Sequence, residues 1–174
     1  LDITINGNGY TISGENKYRI FNITAGDVVL NNITFTNGAA DVGGAIYAES
    51  DANDINLIIN NSNFIDNNVT IVGGAVAVVA SNNALTYAID ASLFENNIAI
   101  NNSTGSYTAA GGAVYSNGKT EGTITNSVFN KNGAAIDNYY QNGGAIKLEF
   151  GGKLTVSDSA FTENTAGQVG GAIT

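Results

Sequence analysis

The sequence contains no cysteine, histidine, proline, methionine or tryptophan among its 174 residues. Without cysteine and histidine, the chain has no thiolate or imidazole metal ligand, no cysteine nucleophile and no imidazole base. Lysine and arginine together number six, against fifteen acidic residues, which gives a net charge of −9. Nucleic acid needs clustered basic residues, so we expect no nucleic-acid partner. No apolar run approaches the ~20 residues that span a bilayer, so we expect no membrane insertion of this segment.

Two short motifs alternate along the chain. Gly-Gly-Ala-(Ile/Val) begins five times, and Phe-x-x-Asn stands between its copies. An additional, degenerate copy of the second motif, at Phe35, has Gly38 in place of the asparagine, with Asn37 one position early. Such regular alternation is typical of a repeat protein. The tetrapeptides begin at Gly43, Gly73, Gly111, Gly143 and Gly170, and the complete Phe-x-x-Asn copies begin at Phe64, Phe94, Phe129 and Phe161.

Length variation is confined to one part of each repeat. From each tetrapeptide to the next phenylalanine the distance is 18 or 21 residues, whereas from phenylalanine to the next tetrapeptide it ranges from 8 to 17. In repeat proteins, insertions of this kind form loops on one face, often the binding face. The two longest insertions occupy Asn96–Ala110 and Lys131–Asn142. We expect them to lie side by side at one corner.

The segment before each phenylalanine alternates in hydrophobicity. Apolar residues stand five positions before it, and mostly seven positions before it, as at Leu30 and Val28. Period two indicates strands, and no stretch of ten residues has clear helical periodicity. Short strands with no crossover helix bury their apolar faces by coiling into stacked parallel sheets. We therefore predict an all-β fold, a single-stranded parallel β-helix (a solenoid) of about six turns with loops inserted at one corner.

These motifs resemble the repeats of polymorphic outer-membrane proteins. With their Asn- and Ile-rich background they also resemble the adhesin-like surface proteins of methanogenic archaea. The opening stretch, with strands predicted at Ile3–Ile5 and Tyr10–Ile12 around a turn, is similar to the first turn of pectate-lyase-like β-helices. The resemblance covers nearly the whole chain. It implies a right-handed coil and a passenger or stalk region on the cell surface.

The resemblance predicts an extracellular, cell-surface adhesin-like segment that is not an enzyme, needs no cofactor and binds through its corner loops. The expected partner is a glycan or protein of a host or neighbouring cell, and the segment itself is expected to be monomeric. We treat residues 1–174 as a single β-helix domain. Because the sequence ends inside a tetrapeptide, we expect it to be a fragment of a longer repeat array, or to be covered by another chain or domain. A structural spacer and a pectate-lyase-like carbohydrate-active enzyme remain alternatives.

Catalysis on a sugar polymer would need a base and convergent carboxylates. The single arginine is Arg19, and the five lysines share no common column. Asp66, Asp90 and Glu95 are candidate carboxylates, but the positions equivalent to Asp90 in other repeats are not acidic. We interpret these acids as surface residues.

A turn from Glu49 to Asp54 places oxygen ligands at alternate positions, as in a calcium loop. It lacks the glycine at the sixth position and the glutamate at the twelfth, which is Asn60. We predict no metal site, while a Ca²⁺ ion near Asp51 stays open.

The insertions contain Tyr107, Tyr139 and Tyr140 among hydroxyl and amide residues, a composition suited to sugars or a protein partner. These three tyrosines are the predicted ligand-binding residues; packing against the flank of the coil is the alternative. A second candidate is an outward column of Tyr47, Ala77, Tyr115 and Lys147. Asn-x-Ser/Thr sequences provide glycosylation candidates, with the first two expected to be the most accessible: Asn101, Asn102, Asn22, Asn32, Asn60 and Asn68.

Overall fold

Short β-strands alternate with tight bends along the chain, as the period-two pattern predicts. The computed structural model describes residues 2–100, 109–135 and 142–174, and it contains no helix in these ranges. The strands are β1 (Ile3–Asn6), β2 (Thr11–Ser13), β3 (Phe21–Ile23), β4 (Gly26–Asn31), β5 (Thr34–Thr36), β6 (Ala39–Val42), β7 (Ile46–Glu49), β8 (Ile55–Asn60), β9 (Asn63–Ile65), β10 (Asn68–Val72), β11 (Val76–Asp90), β12 (Leu93–Glu95), β13 (Ile98–Ile100), β14 (Val114–Thr125), β15 (Val128–Asn130), β16 (Gly133–Ala135), β17 (Ile146–Glu149), β18 (Lys153–Ser157), β19 (Ala160–Thr162) and β20 (Thr165–Ala166).

These strands form three sheets in which neighbouring strands run parallel. Sheet 1 has nine strands and contains β1, β3, β4, β7, β8, β11, β14, β17 and β18. Sheet 2 stacks β2, β5, β9, β12, β15 and β19, and sheet 3 stacks β6, β10, β13, β16 and β20. Each strand pairs with its equivalent one repeat later, so the chain is a parallel β-helix of about six turns. The predicted fold class is confirmed. We call each turn a rung.

A stack of phenylalanine rings fills the interior along sheet 2. Consecutive ring centroids lie 4.6 to 4.8 Å apart, and the planes differ by at most 15°. Phe21 closes the first end of the stack edge-on, 5.8 Å from Phe35. Because rings on neighbouring rungs cover both faces of each inner ring, the inner members are buried. The stacked rings are Phe35, Phe64, Phe94, Phe129 and Phe161.

A row of asparagine side chains runs beside the rings. Asn97 Nδ2 donates to Oδ1 of Asn132 at 2.9 Å and to the carbonyl of Phe64 at 2.9 Å, while its own Oδ1 accepts from the backbone and the side chain of Asn67. Asn132 repeats this pattern. Asn67 makes the same two donations, and its Oδ1 accepts from the backbone N–H of Gly38, while Asn164 donates to the carbonyl of Phe129. Buried amides with every polar atom paired stabilise a single register.

The first complete rung differs from the expectation for Asn37. Asn37 is not a displaced member of the asparagine row: its φ of 53° matches the 56° of Asp66 one rung later. Gly38 occupies the row itself, and its backbone N–H donates to Oδ1 of Asn67 at 2.8 Å. A Cβ at Gly38 would collide with the carbonyl of Gly44, so no asparagine fits there.

The glycine pairs have two separate roles. The first glycine of each pair has a positive φ, between 58° and 68° at the five copies, which other residues adopt with strain. The second has no such angle, but a Cβ on Gly74 would strike the carbonyl oxygen of Gly112 on the next rung. The close stacking of rungs at this corner therefore requires glycine.

Candidate binding surface

The number of residues in the connection from sheet 3 to sheet 1 differs from rung to rung. Val69 pairs with Ala99, and Val72 pairs with Ala110. Two residues therefore separate the paired positions on one rung, while ten separate them on the next. We call this junction the insertion corner.

The following rung repeats the arrangement. Ala134 pairs with Ala99, and Asn142 pairs with Ala110, so seven residues separate its two paired positions. Both insertions thus leave and rejoin the coil at hydrogen-bonded neighbours one rung apart. The prediction that they share a corner is confirmed for these flanking residues.

The insertions are shorter than the sequence indicates. The expected ranges Asn96–Ala110 and Lys131–Asn142 each contain a strand of sheet 3, namely β13 and β16. The extra residues are therefore confined to about 101–109 and 136–141. The predicted ligand-binding residues Tyr107, Tyr139 and Tyr140, and the predicted glycosylation sites Asn101 and Asn102, lie outside the described residues.

The outward column of Tyr47, Ala77, Tyr115 and Lys147 is in register across four rungs. It is not an exposed strip, however, because Ala77 is fully buried and Tyr115 is 7% exposed. The two pack in a small apolar cluster on the outside of the coil together with Val72 and Ala110, which flank the insertion corner.

The hydroxyls of this column are bonded to carboxylates. Tyr47 donates to Glu49 at 2.8 Å, and Arg19 lies over its ring, 4.9 Å from the centroid. Tyr115 donates to Glu149 at 2.7 Å. Burial, reinforced by these glutamates, raises the pKa of Tyr47 to about 12 and also raises the pKa of Tyr115. The phenols stay neutral and act as hydrogen-bond donors.

Two of the three candidate catalytic carboxylates, Asp90 and Glu95, accept hydrogen bonds from neutral neighbours, and the third, Asp66, is exposed. Asp90 accepts bonds from the hydroxyl of Thr125 and from the amide of Asn126, which lower its pKa. Glu95 accepts a bond from Asn130 at 2.9 Å. The register also places Asn60 and Thr125 on either side of Asp90, as the spacing predicts.

The acidic turn before β8 is tied to the next rung. Asp51 Oδ1 accepts from Asn82 Nδ2 at 2.6 Å, and Asp54 accepts from the backbone N–H of Ala84 at 2.9 Å. Glu49 accepts from Ser81 at 2.8 Å. Within residues 2–100, 109–135 and 142–174, no three acidic side chains gather closely enough to suggest a metal site.

The described sequons differ in access. Asn22, Asn32 and Asn68 are exposed. Asn60 is half-buried, and its Nδ2, the atom that a glycan would modify, donates to Asn31 at 3.0 Å.

Sequence reasoning missed a cavity beside the bend at residues 149–152. Phe150, Lys119, Glu121 and Lys153 line it together with Thr120 and Gly151, and its volume is about 280 Å³. A second cavity of about 490 Å³ continues it along the outer face of sheet 1 and shares Glu121 and Lys153. We call the first the Phe150 cavity and the second the sheet 1 groove. The lysines showed no common column because the bend, and not the strand register, brings them together.

No helix in the described part of the chain is long and apolar enough to cross a membrane. No family model matches the chain, and no curated protein and no solved structure matches it either.

Proposed function

We propose that this chain is an extracellular, adhesin-like segment of a cell-surface protein, and that it attaches without catalysis through the two insertions at the insertion corner. The observation that carries the proposal is the placement of the insertion ends. Both insertions start from paired residues of sheet 3 and return at Ala110 and Asn142, which are bridged to each other. Binding residues are often carried by loops on a rigid scaffold, and two insertions whose ends lie one rung apart are suited to contact one partner together.

The rest of the coil supports this role because its repeating polar groups are already paired. The buried asparagine row bonds to itself and to backbone carbonyls, and the column hydroxyls bond to glutamates. Such groups hold the scaffold and are not free to bind a ligand. The resemblance to polymorphic outer-membrane repeats and to archaeal adhesin-like proteins adds the surface location and the partner, a glycan or protein of another cell.

The test is binding to glycan and protein arrays. One variant replaces residues 100–109 and residues 135–141 each with the two-residue connection that Thr70 and Ile71 make on the preceding rung. A second carries Tyr107→Ala, Tyr139→Ala and Tyr140→Ala. Tyr10→Ala and Tyr18→Ala serve as the control, because these tyrosines are 78% and 67% exposed on the first turn.

We expect the wild type and the control to bind, and both corner variants to lose binding while keeping the β-sheet circular dichroism spectrum. Equal binding by all four proteins would refute attachment through the corner. Absence of binding by the wild type would favour the spacer, and release of reducing or unsaturated sugar ends would favour the enzyme.

A further inference from the structure

The charge on part of sheet 1 changes along the coil. We call this part the sheet 1 face; it is the outer side of β4, β8 and β18 and of the second halves of β11 and β14. Asp27 in β4 and Asp54 just before β8 lie on the earlier rungs, whereas Lys119 and Lys153 lie on the later ones. All four side chains are exposed. Acidic groups toward one end and basic groups toward the other give the face a direction.

One outward column of the sheet 1 face is balanced about β11. Asp27 lies two rungs before Thr86, and Lys153 lies two rungs after it. Asn56 lies one rung before Thr86, and Glu121 lies one rung after it. Lys153 also pairs with Glu121 of its own chain at 3.2 Å. Each carboxylate of this column thus has a donor at the same distance on the other side of Thr86.

The neighbouring column has the same balance. Asp54, Ala84 and Lys119 immediately precede the first paired residues of β8, of the second half of β11 and of the second half of β14. Asp54 therefore lies one rung before Ala84, and Lys119 lies one rung after it. The backbone N–H of Ala84 donates to Asp54 Oδ1 at 2.9 Å, which holds this carboxylate in place.

These distances fit a two-fold axis that runs along β11. Rotation about this axis exchanges rungs equally far from β11 and leaves each column opposite itself. A second copy placed in this way faces the first with its coil reversed, so that Asp54 meets Lys119 and Asp27 meets Lys153 of the other copy. Because a two-fold contact is isologous, each pair forms twice.

Small side chains at the middle of the face allow the two copies to approach. Ala84, Thr86 and Ala88 lie on the axis, and packed sheets are about 10 Å apart. Val29 and Ile58, both half-buried, add apolar surface. Five rungs and the residues from 84 to 90 cover about 19 by 20 Å, or about 400 Å² per copy, which suits a weak and reversible contact.

We propose that the sheet 1 face binds a second copy of this chain, antiparallel, around the axis along β11. The occupant is a second copy because each charge of the face finds its complement on the same face rotated. The sequence predicts a monomer, and the small area accordingly gives a dissociation constant between about 10 μM and 1 mM. The face shares no residue with the insertion corner, so this proposal and the corner attachment hold or fail separately.

One like-charge contact opposes the association. Asp90 of β11 also lies on the axis, so the two copies bring their Asp90 carboxylates together. Asp90→Asn removes this repulsion and should lower the dissociation constant about two- to tenfold. The change is specific to the reversed orientation, because Asp90 would meet another residue in any other register.

The test is sedimentation equilibrium at up to about 1 mM chain and about 150 mM salt, where screening over about 8 Å suppresses repulsion between the net charges. We expect the wild type to be in monomer–dimer equilibrium. Lys119→Glu alone and Asp54→Lys alone each create two like-charge contacts, so each should weaken self-association at least about tenfold. An equimolar mixture of the two variants should restore it, because every introduced charge then faces an opposite one.

Lys131→Glu and Asp66→Lys are the matched controls. They make the same charge changes on exposed turns away from the face, at φ angles of 55° and 56°, and each should associate as the wild type does. Circular dichroism checks that every variant is folded. If Asp54→Lys is not, Asp27→Lys mixed with Lys153→Glu repeats the test at the outer pair. A monomeric wild type, single variants that associate like the wild type, or a mixture that stays monomeric would each overturn the proposal.

Discussion

The ring of Tyr87 occupies the space above Gly122, its partner on the next rung: a Cβ on Gly122 would strike Cζ of Tyr87. At the same position of sheet 1 the other rungs carry Ile3, Val28, Leu57 and Leu154. One oversized side chain and one absent side chain therefore compensate each other across two rungs. The Tyr87 hydroxyl is buried beside Ser116 but completes no well-formed hydrogen bond with the described residues.

This pair predicts strong coupling in a double-mutant cycle. Gly122→Val alone should destabilise the fold by at least about 2 kcal/mol through overpacking, and Tyr87→Leu alone by a similar amount through the cavity that it leaves. The double variant restores the usual pair of aliphatic residues and should lie within about 1 kcal/mol of the wild type. Chemical denaturation measures all four proteins. Additive losses would show that the two positions do not share space.

Removing one buried amide should weaken the coil disproportionately. In Asn97→Ala, the backbone N–H and the side-chain amide of Asn67 lose an acceptor, and each unpaired buried group costs about 1–3 kcal/mol. We expect a loss of roughly 2–4 kcal/mol in the free energy of unfolding. Asn63→Ala is the matched control, because Asn63 is half-buried on the outer face and makes a single long side-chain bond of 3.3 Å. Equal losses would contradict a special role for the row.

Substitution by alanine should have opposite effects on stability at Gly74 and at Gly133, although each of these glycines precedes an alanine. A Cβ on Gly74 would strike the backbone of Gly112, so Gly74→Ala should prevent close stacking and lower the melting temperature strongly. Gly133 has no positive φ, and a Cβ there would meet only Thr165, with Oγ1 nearest at 3.3 Å. Gly133→Ala should be neutral or stabilise by up to about 1 kcal/mol, because it restricts the unfolded chain. A mild effect at Gly74 would mean that the rungs separate at little cost.

Asp90 should contribute to the acid sensitivity of the fold. The hydroxyl of Thr125 and the amide of Asn126 hold its pKa below the ordinary value of 3.8. The folded chain thus favours the charged form, and the stabilisation is complete above the ordinary pKa and is lost as the pH falls through the lower one. Unfolding free energies of the wild type and Asp90→Asn should therefore converge in acid and separate above about pH 5. Parallel curves over that interval would disprove this contribution.

The rows of identical side chains were predictable because each phenylalanine and each glycine pair recurs at the same place in the repeat. The row of serines, two residues before Phe64, Phe94, Phe129 and Phe161, had the same signal as the phenylalanine, asparagine and glycine rows but was overlooked. The serine backbone N–H donates to the serine hydroxyl of the next rung, for example from Ser62 to Ser92 at 3.2 Å. The alternation rule treats serine as polar and places it outside, whereas on the inner rungs its hydroxyl is paired and the residue is buried.

Other features depend on geometry that a repeat pattern does not encode. Tyr87 and Gly122, 35 residues apart, each depart from the aliphatic residue that other repeats carry at this position. Taken singly, neither departure indicates that the two residues compensate each other. The Phe150 cavity depends on a left-handed backbone angle and on a bend between β17 and β18. The burial of Tyr115 and Ala77 comes from packing on the outside of the coil, where strand alternation predicts exposure.

The asparagine row has one direction, since the side-chain amides of Asn67, Asn97 and Asn132 each donate to the later rung and to a carbonyl of the earlier one. Excising the two repeats from Phe64 to Val128, which contain both Tyr87 and Gly122, would bring equivalent partners together again, with Phe129 following Asn63 in place of Phe64 and Leu57 meeting Leu154. Recombination between repeats can therefore shorten or extend the molecule by whole rungs of about 4.8 Å each, provided that the compensating pair is kept or removed together. The length of the coil can thus change by unequal crossing-over, while the contacts between neighbouring rungs stay the same.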